Sequence, residues 1–311
     1  MEVFAGEAGL SQAVSARGMQ ILPPIEIVIN NFVKEKVDIL DPAVFQHLQF
    51  LIQEGIVIFI HFGTPCSSFS IARKHDGGPP PLRDRQHLWG RHGLSRRDRE
   101  KLLLGNQFMA LTAALATLCY DRGILWSIEN PASSFLWRMP PVQALAALPR
   151  VKQFLLDMCR FGAPHKKPTA LLSSADLSPL ALECDMAVRP HVHEPLVGTV
   201  LIANEQVFKT KLAQVYPPAL CRAWAGLIAR RPQAADRPGP ALEATQAADH
   251  CGESFRRRVS AQARGIASAA SSRDGARSGS ASGSRSPPPF HHRARAGAKS
   301  SRSSSSGHAS S

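Results

Sequence analysis

The chain has 311 residues, 44% of them hydrophobic, and a formal net charge of +13 at pH 7. This length and apolar content allow one good-sized buried core. Its six cysteines are scattered, and neither a charged leader before an apolar run nor an apolar run of membrane-spanning length is evident. We therefore expect an intracellular protein with reduced thiols, not a secreted disulfide scaffold or a membrane protein.

Composition changes near residue 232, beyond which Ser, Arg, Ala, Gly and Pro dominate and large apolar side chains are few. Such a segment cannot offset its own chain entropy by burial. We predict one folded domain at residues 1–231 and a disordered, basic, Ser/Arg-rich tail at 232–311. The tail could hold a polyanion through counterion release, or it could serve only to keep the protein soluble.

Apolar segments of strand length alternate with helix-like segments through the folded body. Strands are predicted at residues 1–5, 37–40, 56–62 and 123–128, and helices at 10–16, 42–53, 99–120 and 142–148. This alternation is typical of an α/β protein with a mainly parallel sheet and helices on both faces. Sheets of this kind bind ligands at the carboxyl ends of their strands.

The first predicted strand runs through Phe4 into a small-residue turn that contains Gly6 and Gly9. Glu26 follows Gly6 by 20 residues, the spacing of a turn and an acid that together hold a nucleoside. Two interpretations stay open, because the same glycines could mark an ordinary tight turn between strand and helix. Asp38 likewise could belong to such a pocket or could cap the helix after Leu40.

Two later strands end in reactive side chains. Pro65 and Cys66 follow an apolar run, and a turn opening toward a helix N terminus, with cations nearby, would favour the Cys66 thiolate. Glu129 and Asn130 end the next strand and present a carboxylate at the same edge. Alone, Cys66 could be a small core residue and Glu129 a helix cap. Together they indicate a catalytic pair.

The segment from about residue 71 to 100 is rich in Arg and Lys and includes Arg73. A loop this long in a compact domain is usually functional or disordered. Because it follows Cys66 directly, we predict a mobile basic lid over an anionic substrate. A solvated insertion is the alternative.

The ordered motifs resemble those of the cytosine-C5 DNA methyltransferases, particularly the short phage-like or mobile-element-like members, over residues 1 to about 230. The resemblance implies a Rossmann-like class I fold, S-adenosylmethionine as cofactor, and methyl transfer to C5 of cytosine through a covalent Cys66 adduct at C6. It implies cofactor binding by Phe4, Gly6, Gly9, Glu26, Asp38 and Ile39. It implies catalysis by Cys66 and Glu129, supported by Pro65 and Asn130.

The resemblance also implies substrate contacts by Ser68, Arg73, His165, Lys167 and Thr169. Residues 160–169 are similar to the family's Tyr-Gly-x-Pro-Gln-x-Arg-x-Arg block, with Thr169 in place of its last arginine. Residues 170–212 are then a minimal target-recognition region, and residues 214–220 resemble the family's closing Asn-x-Val-Pro-Pro segment. The implied partner is DNA, with RNA possible and no membrane, and the implied location is intracellular, nuclear in a eukaryote.

A second class of function stays open: a catalytically weak or inactive relic that binds nucleic acid through the basic loop and tail. Clear binding of S-adenosylmethionine would count against it.

Cys184, His191 and His193, with or without Cys159, could bind zinc, but their spacing fits no standard ligand pattern. We predict instead a surface turn around the two histidines and no metal.

Overall fold

The computed structural model describes residues 1–71 and 81–230. Arg73, predicted to contact substrate, and the tail at 232–311 lie outside the described residues. The strands are β1 Glu2–Val3, β2 Phe59–Phe62, β3 Leu125–Pro131, β4 Lys152–Asp157, β5 Pro168–Ser173, β6 Thr199–Ile202 and β7 Glu205–Phe208. The α-helices are α1 Gly9–Ser15, α2 Pro42–Gln53, α3 Arg96–Asp121, α4 Pro140–Ala146, α5 Lys209–Leu212 and α6 Pro218–Ala229. Short 3₁₀ helices lie at Phe135–Arg138, Met158–Phe161 and Ser178–Leu180.

The main sheet has the strand order β1-β2-β3-β5-β4. The strands β1, β2 and β3 pair in parallel, whereas β5 runs antiparallel to both of its neighbours, β3 and β4. Four strands of this sheet therefore point the same way, and the predicted α/β class with a mostly parallel sheet is confirmed. Strands β6 and β7 form a separate antiparallel hairpin.

The two faces of the sheet carry separate apolar cores. Successive side chains on a strand point to opposite faces, and in β5 Leu171 belongs to one core while Ala170 and Leu172 belong to the other. Helices α2, α3 and α4 pack on the Leu172 face, and α1 and α6 pack on the Leu171 face. Helices therefore cover both faces, as the alternating pattern predicted.

The predicted strand at residues 37–40 is wrong. These residues form an irregular segment and a turn, in which the Leu40 N–H donates to Asp38 Oδ1 at 2.9 Å. Ile39 is buried in the core, with 2% exposure, although it is not part of a strand. Its burial accounts for the apolar pattern of this segment. Beside β1, Ile25 makes an isolated parallel bridge with Val3.

The long helix α3 begins earlier than predicted. Ser95 Oγ accepts a hydrogen bond from the Asp98 N–H in the first turn at 3.1 Å and caps the helix, which starts at Arg96. The last residues of the loop predicted at 71–100 are therefore helical. By length and composition alone, α3 is apolar enough to cross a membrane, contrary to our expectation of no such run. Its buried face packs against the sheet.

The remainder of the described loop, residues 81–95, consists of turns around a buried arginine. Arg83 is 2% exposed, its Nε donates to the Ser68 carbonyl at 2.9 Å, and its guanidinium lies 4.1 Å from the centre of the Phe69 ring. Burial lowers the pKa of Arg83 to about 9, so it stays charged at neutral pH. Arg83 is therefore a structural cation that holds the chain after Cys66, not part of a basic lid.

A close contact between α3 and the same chain segment depends on Gly105. A Cβ at this position would lie 1.9 Å from Ser68 Oγ and 2.8 Å from Ser68 Cβ. Because Ser68 is itself buried, it has no free space to move into. Glycine at 105 therefore lets α3 approach the loop that carries Cys66.

We expect Gly105→Ala to lower the free energy of unfolding by up to about 2 kcal/mol, because an overpacking cost of about 1–3 kcal/mol outweighs the gain of about 1 kcal/mol in helix propensity. Chemical denaturation measures the change. Gly226→Ala in α6 is the matched control, because its Cβ would meet only the mobile end of Arg17, at 3.1 Å. Equal stability of the two variants, or a gain for Gly105→Ala, would show that the Ser68 contact is not tight.

Candidate active site

The carboxyl ends of β1, β2 and β3 meet at one edge of the sheet, where a cavity of about 440 Å³ opens. This is the edge at which open α/β sheets bind ligands. The cavity is lined by eight of the predicted site residues: Phe4, Gly6, Gly9, Glu26, Pro65, Cys66, Glu129 and Lys167. The predicted turn, thiol and carboxylate therefore share one chamber.

One end of the cavity is formed by the turn after β1. Gly6 has a φ of 52° and nothing within 4 Å of the place where a Cβ would stand, so its backbone is open to the chamber. Its N–H donates to Glu26 Oε2 at 2.7 Å, and Glu26 Oε1 accepts from the Ile27 N–H at 2.8 Å. The glycine turn and Glu26, which were predicted to act together, are thus joined by a hydrogen bond.

The ends of β1 and β2 come unusually close at this turn. A Cβ on Gly63 would stand 2.7 Å from the Phe4 carbonyl oxygen, and the Gly63 N–H donates to the Val3 carbonyl at 2.9 Å. Only glycine fits there. This approach places the Pro65–Cys66 step beside the glycine turn.

Asp38 and Ile39, predicted to hold the cofactor, are not among the lining residues, whereas Val37 is. The Asp38 side chain caps its own turn. The N-cap of α2 is Asp41, whose carboxylate accepts from the Ala43 N–H at 2.9 Å. The alternative that Asp38 caps this helix is therefore wrong.

Cys66 lies in the loop after β2 and is half-buried. Residues 67–69 form a turn, and the described residues up to 71 contain no helix N terminus after the thiol. Burial and then the negative charge of Glu129 raise the pKa of Cys66, while Lys167 acts to lower it. The prediction that the loop favours the thiolate is therefore wrong for the free protein.

Glu129 lies within β3 near its carboxyl end and is 8% exposed, so it is not a helix cap. Its Oε2 accepts a hydrogen bond from the Tyr216 hydroxyl at 3.2 Å. Its Oε1 lies 3.8 Å from Lys167 Nζ and has no hydrogen-bond partner. One carboxylate oxygen is thus anchored, and the other is buried beside the Lys167 ammonium group without a hydrogen bond of its own.

Three polar side chains continue from Glu129 in a row of hydrogen bonds: Tyr216, His61 in β2 and Ser127 in β3. Tyr216 Oη lies 3.0 Å from His61 Nε2, and His61 Nδ1 lies 2.9 Å from Ser127 Oγ. Burial lowers the pKa of His61 to about 3, so the ring is neutral near pH 7. Because Tyr216 donates to Glu129, we infer that Nε2–H donates to Tyr216 and that Nδ1 accepts from Ser127.

Burial, followed by the charge of Glu129, raises the pKa of Tyr216 well above its usual value. The hydroxyl therefore remains protonated and keeps donating to the carboxylate.

Asn130 is fully buried and contacts the backbone. Its Nδ2 donates to the Thr64 carbonyl at 2.7 Å, which ties the end of β3 to the loop that carries Pro65 and Cys66. Asn130 therefore positions the site and does not line it.

Three of the predicted substrate contacts lie away from the cavity. Ser68 is buried against Gly105, and Thr169 is buried in β5 opposite Pro131. His165 is half-buried, and partial burial, with the charge of Lys167, lowers its pKa. Lys167 is the residue of this block that lines the cavity. Residues 170–173, at the start of the region predicted for target recognition, belong to β5.

Sequence reasoning missed the roles of Tyr216 and His61. Tyr216 lies in the segment 214–220, which resembles the family's closing motif, but its pairing with Glu129 joins residues 87 positions apart. The available signal for His61 was a single polar residue inside the apolar strand β2, a pattern that also suits an ordinary core histidine. Phe108, Lys211 and Val215 also line the cavity.

Chemically, the chamber combines a half-buried thiol, a carboxylate and an ammonium group 3.8 Å from that carboxylate. Such a set can add a nucleophile to a planar, polar ring and hold the edge of that ring as charge develops. A scan against protein-family models finds no match for the chain, and a search of the curated proteins finds none either.

We expect Glu129→Gln to lower the pKa of Cys66 and Lys167→Met to raise it, because the first removes a nearby negative charge and the second a positive one. Alkylation by iodoacetamide, followed at the Cys66 peptide by mass spectrometry across a pH series, reports the thiolate. At a fixed pH below the midpoint, alkylation should be faster in Glu129→Gln and slower in Lys167→Met.

Glu100→Gln, on the exposed surface of α3, is the control and should leave the profile unchanged. Shifts of the same sign in the two site variants would mean that charge does not set the reactivity of this thiol.

Proposed function

We propose that the chain is an S-adenosylmethionine-dependent methyltransferase with a Rossmann-like class I fold, acting on C5 of cytosine in DNA. The observation that carries the proposal is the shared chamber, which Cys66, Glu129, the glycine turn and Glu26 all line. A nicotinamide dehydrogenase would use a similar turn but has no need for the thiol.

The glycine-turn end of the cavity suits a nucleoside cofactor. The open backbone at Gly6 allows close approach, and Glu26 retains about one acceptor position for the ribose hydroxyls beside the three backbone N–H groups it already binds. Val37 and Phe108 add apolar walls for a base. When bound, S-adenosylmethionine supplies an electrophilic methyl group carried on a sulfonium.

The C5 position of cytosine is too weakly nucleophilic to attack that methyl group unaided. Addition of the Cys66 thiolate to C6 forms an S–C6 bond and moves the C5–C6 π electrons toward C5 and N3. S-adenosylmethionine held by Gly6 and Glu26 would supply the methyl group that C5 accepts in this state. Transfer of the C5 proton to solvent would then re-form the double bond and release Cys66 as the thiolate.

Glu129 and Lys167 serve this addition in different ways. The free Oε1 of Glu129 can accept from the exocyclic amine of cytosine and, when protonated, donate to N3 as negative charge develops there. The ammonium group of Lys167 favours the thiolate before attack. Tyr216, held by His61, fixes the second oxygen and thereby the direction in which the carboxylate points.

Cytosine reaches such a chamber only after leaving the base stack, so we infer that the substrate base is flipped out or already unpaired. The net positive charge of the chain suits a polyanion. DNA is the favoured substrate on the motif resemblance, and RNA is the alternative that the assay must include.

The decisive experiment is trapping on duplex DNA that contains 5-fluorocytosine, with S-adenosylmethionine present. Fluorine at C5 cannot leave as a proton does, so the enzyme should remain bound through Cys66 as an adduct that survives denaturation. Cys66→Ser should abolish the adduct, and omission of the cofactor should greatly reduce it. Cys251→Ser is the matched control and should form the adduct normally.

An adduct formed equally by Cys66→Ser would refute this mechanism. Absence of an adduct on DNA, with an adduct on a 5-fluorocytosine RNA, would move the substrate to RNA. Absence of both would favour the catalytically inactive relic.

Cofactor binding is tested separately by calorimetry. We expect Glu26→Gln to weaken S-adenosylmethionine binding roughly ten- to a hundredfold, because the ribose hydroxyls lose a charged acceptor worth about 1.5–3 kcal/mol. Glu54→Gln, exposed at the end of α2, is the control. No measurable binding by the unmodified protein would contradict the cofactor assignment.

A further inference from the structure

Four metal-binding side chains that are dispersed in the sequence meet at one point. The ligand atoms of Cys159, Cys184, His191 and His193 all lie within 4.8 Å of one another. All four residues are half-buried, and the cluster does not include any lining residue of the cavity described above.

The measured separations match those around a tetrahedral ion. Cys184 Sγ lies 3.6 Å from His191 Nε2 and 3.6 Å from His193 Nε2. With Zn–S bonds of about 2.3 Å and Zn–N bonds of about 2.0–2.1 Å, sulfur and nitrogen ligands on tetrahedral zinc stand about 3.5 Å apart. Both sulfur-to-nitrogen distances therefore leave room for one zinc ion.

The ligands are held by two separate segments. Cys159 lies in the 3₁₀ helix Met158–Phe161, directly after β4. The Cys184 N–H donates to Asp157 Oδ2 at 2.7 Å, so the last residue of β4 also fixes the start of the second segment. Cys159 and Cys184 are therefore both held in place by the end of β4.

Groups around the ligands favour coordination. His191 Nδ1 lies 2.7 Å from the Arg189 carbonyl oxygen, so Nδ1 carries the proton and Nε2 is left as a lone-pair donor that faces Cys184. This arrangement is the usual support of a histidine metal ligand. Arg160 braces the same segment through Asp185, at 3.0 Å, and the Glu183 carbonyl, at 2.9 Å.

The segment that carries Cys184, His191 and His193 has little apolar packing to hold it in place. Between the 3₁₀ helix at Ser178–Leu180 and β6 it has no helix or strand. Val188, Val192 and Val197 are 80%, 92% and 78% exposed. A segment with so little buried surface gains little order from hydrophobic packing, and a metal crosslink would supply that order.

We propose that Cys159, Cys184, His191 and His193 form a structural zinc site. Four protein ligands complete a tetrahedral shell and leave no open position, which is the arrangement of structural and not catalytic zinc. The earlier expectation of a surface turn without a metal rested on spacing alone. Spacing failed because β5 separates Cys159 from the other three ligands.

The site would steady the loop that carries Lys167. The segment of the two histidines bonds to this loop, because the Glu194 N–H donates to the Pro164 carbonyl at 2.8 Å. The loop thus lies between the zinc cluster on one side and the Lys167–Glu129 ion pair on the other. Zinc binding itself does not depend on methyl transfer.

The test uses the full-length protein, purified under reducing conditions without chelator. We expect one equivalent of zinc per chain by elemental mass spectrometry. After removal of the metal, titration with Co²⁺ should give the d–d bands of tetrahedral cobalt and a thiolate charge-transfer band. Cys184→Ser and His193→Ala should lose stoichiometric metal, whereas Cys66→Ser and the exposed His47→Ala should retain it.

The cobalt spectrum of the unmodified protein decides the matter even if a ligand variant fails to fold. No stoichiometric metal and no tetrahedral cobalt spectrum would overturn the proposal. An unchanged spectrum in Cys184→Ser, or a Cys159–Cys184 disulfide that persists under reducing conditions, would overturn it as well.

Discussion

A carboxylate held almost out of water at the end of β3 is the constraint on which the site depends. Glu129 is 8% exposed, and an uncompensated charge at such depth costs on the order of several kcal/mol. Tyr216 meets one oxygen at 3.2 Å, and Lys167 stands 3.8 Å from the other. Lys167, just before β5, and Tyr216, just before α6, therefore both reach Glu129 and line the cavity beside it.

The same charges determine how the thiol behaves. Glu129 raises the pKa of Cys66 and Lys167 lowers it, with burial as the largest influence. The balance keeps the thiol protonated in the free protein, and any further cation brought into the chamber would act in the same direction as Lys167. The loop that carries Lys167 is thus an electrostatic control on the nucleophile, and its position matters as much as its charge.

Much of the fold and part of the site follow from local pattern. Apolar strands that end in Cys66 and Glu129 place both groups at one edge, because parallel strands present their carboxyl ends together. Local pattern misled at Asp38, where an apolar neighbour buried in a turn imitated a strand. It also misjudged Arg83, since composition cannot tell a solvated cation from one that is 2% exposed and bonded to backbone.

By itself, the sequence determined the α/β class and the placement of a thiol and a carboxylate near strand ends, because these depend on periodicities of a few residues. Only the tertiary structure decided that Tyr216 holds Glu129 and that Cys159 meets Cys184. Those pairs lie 87 and about 25 residues apart. Their contacts arise from the packing of α6 and from the reversed strand β5, which bring together groups that no local pattern relates.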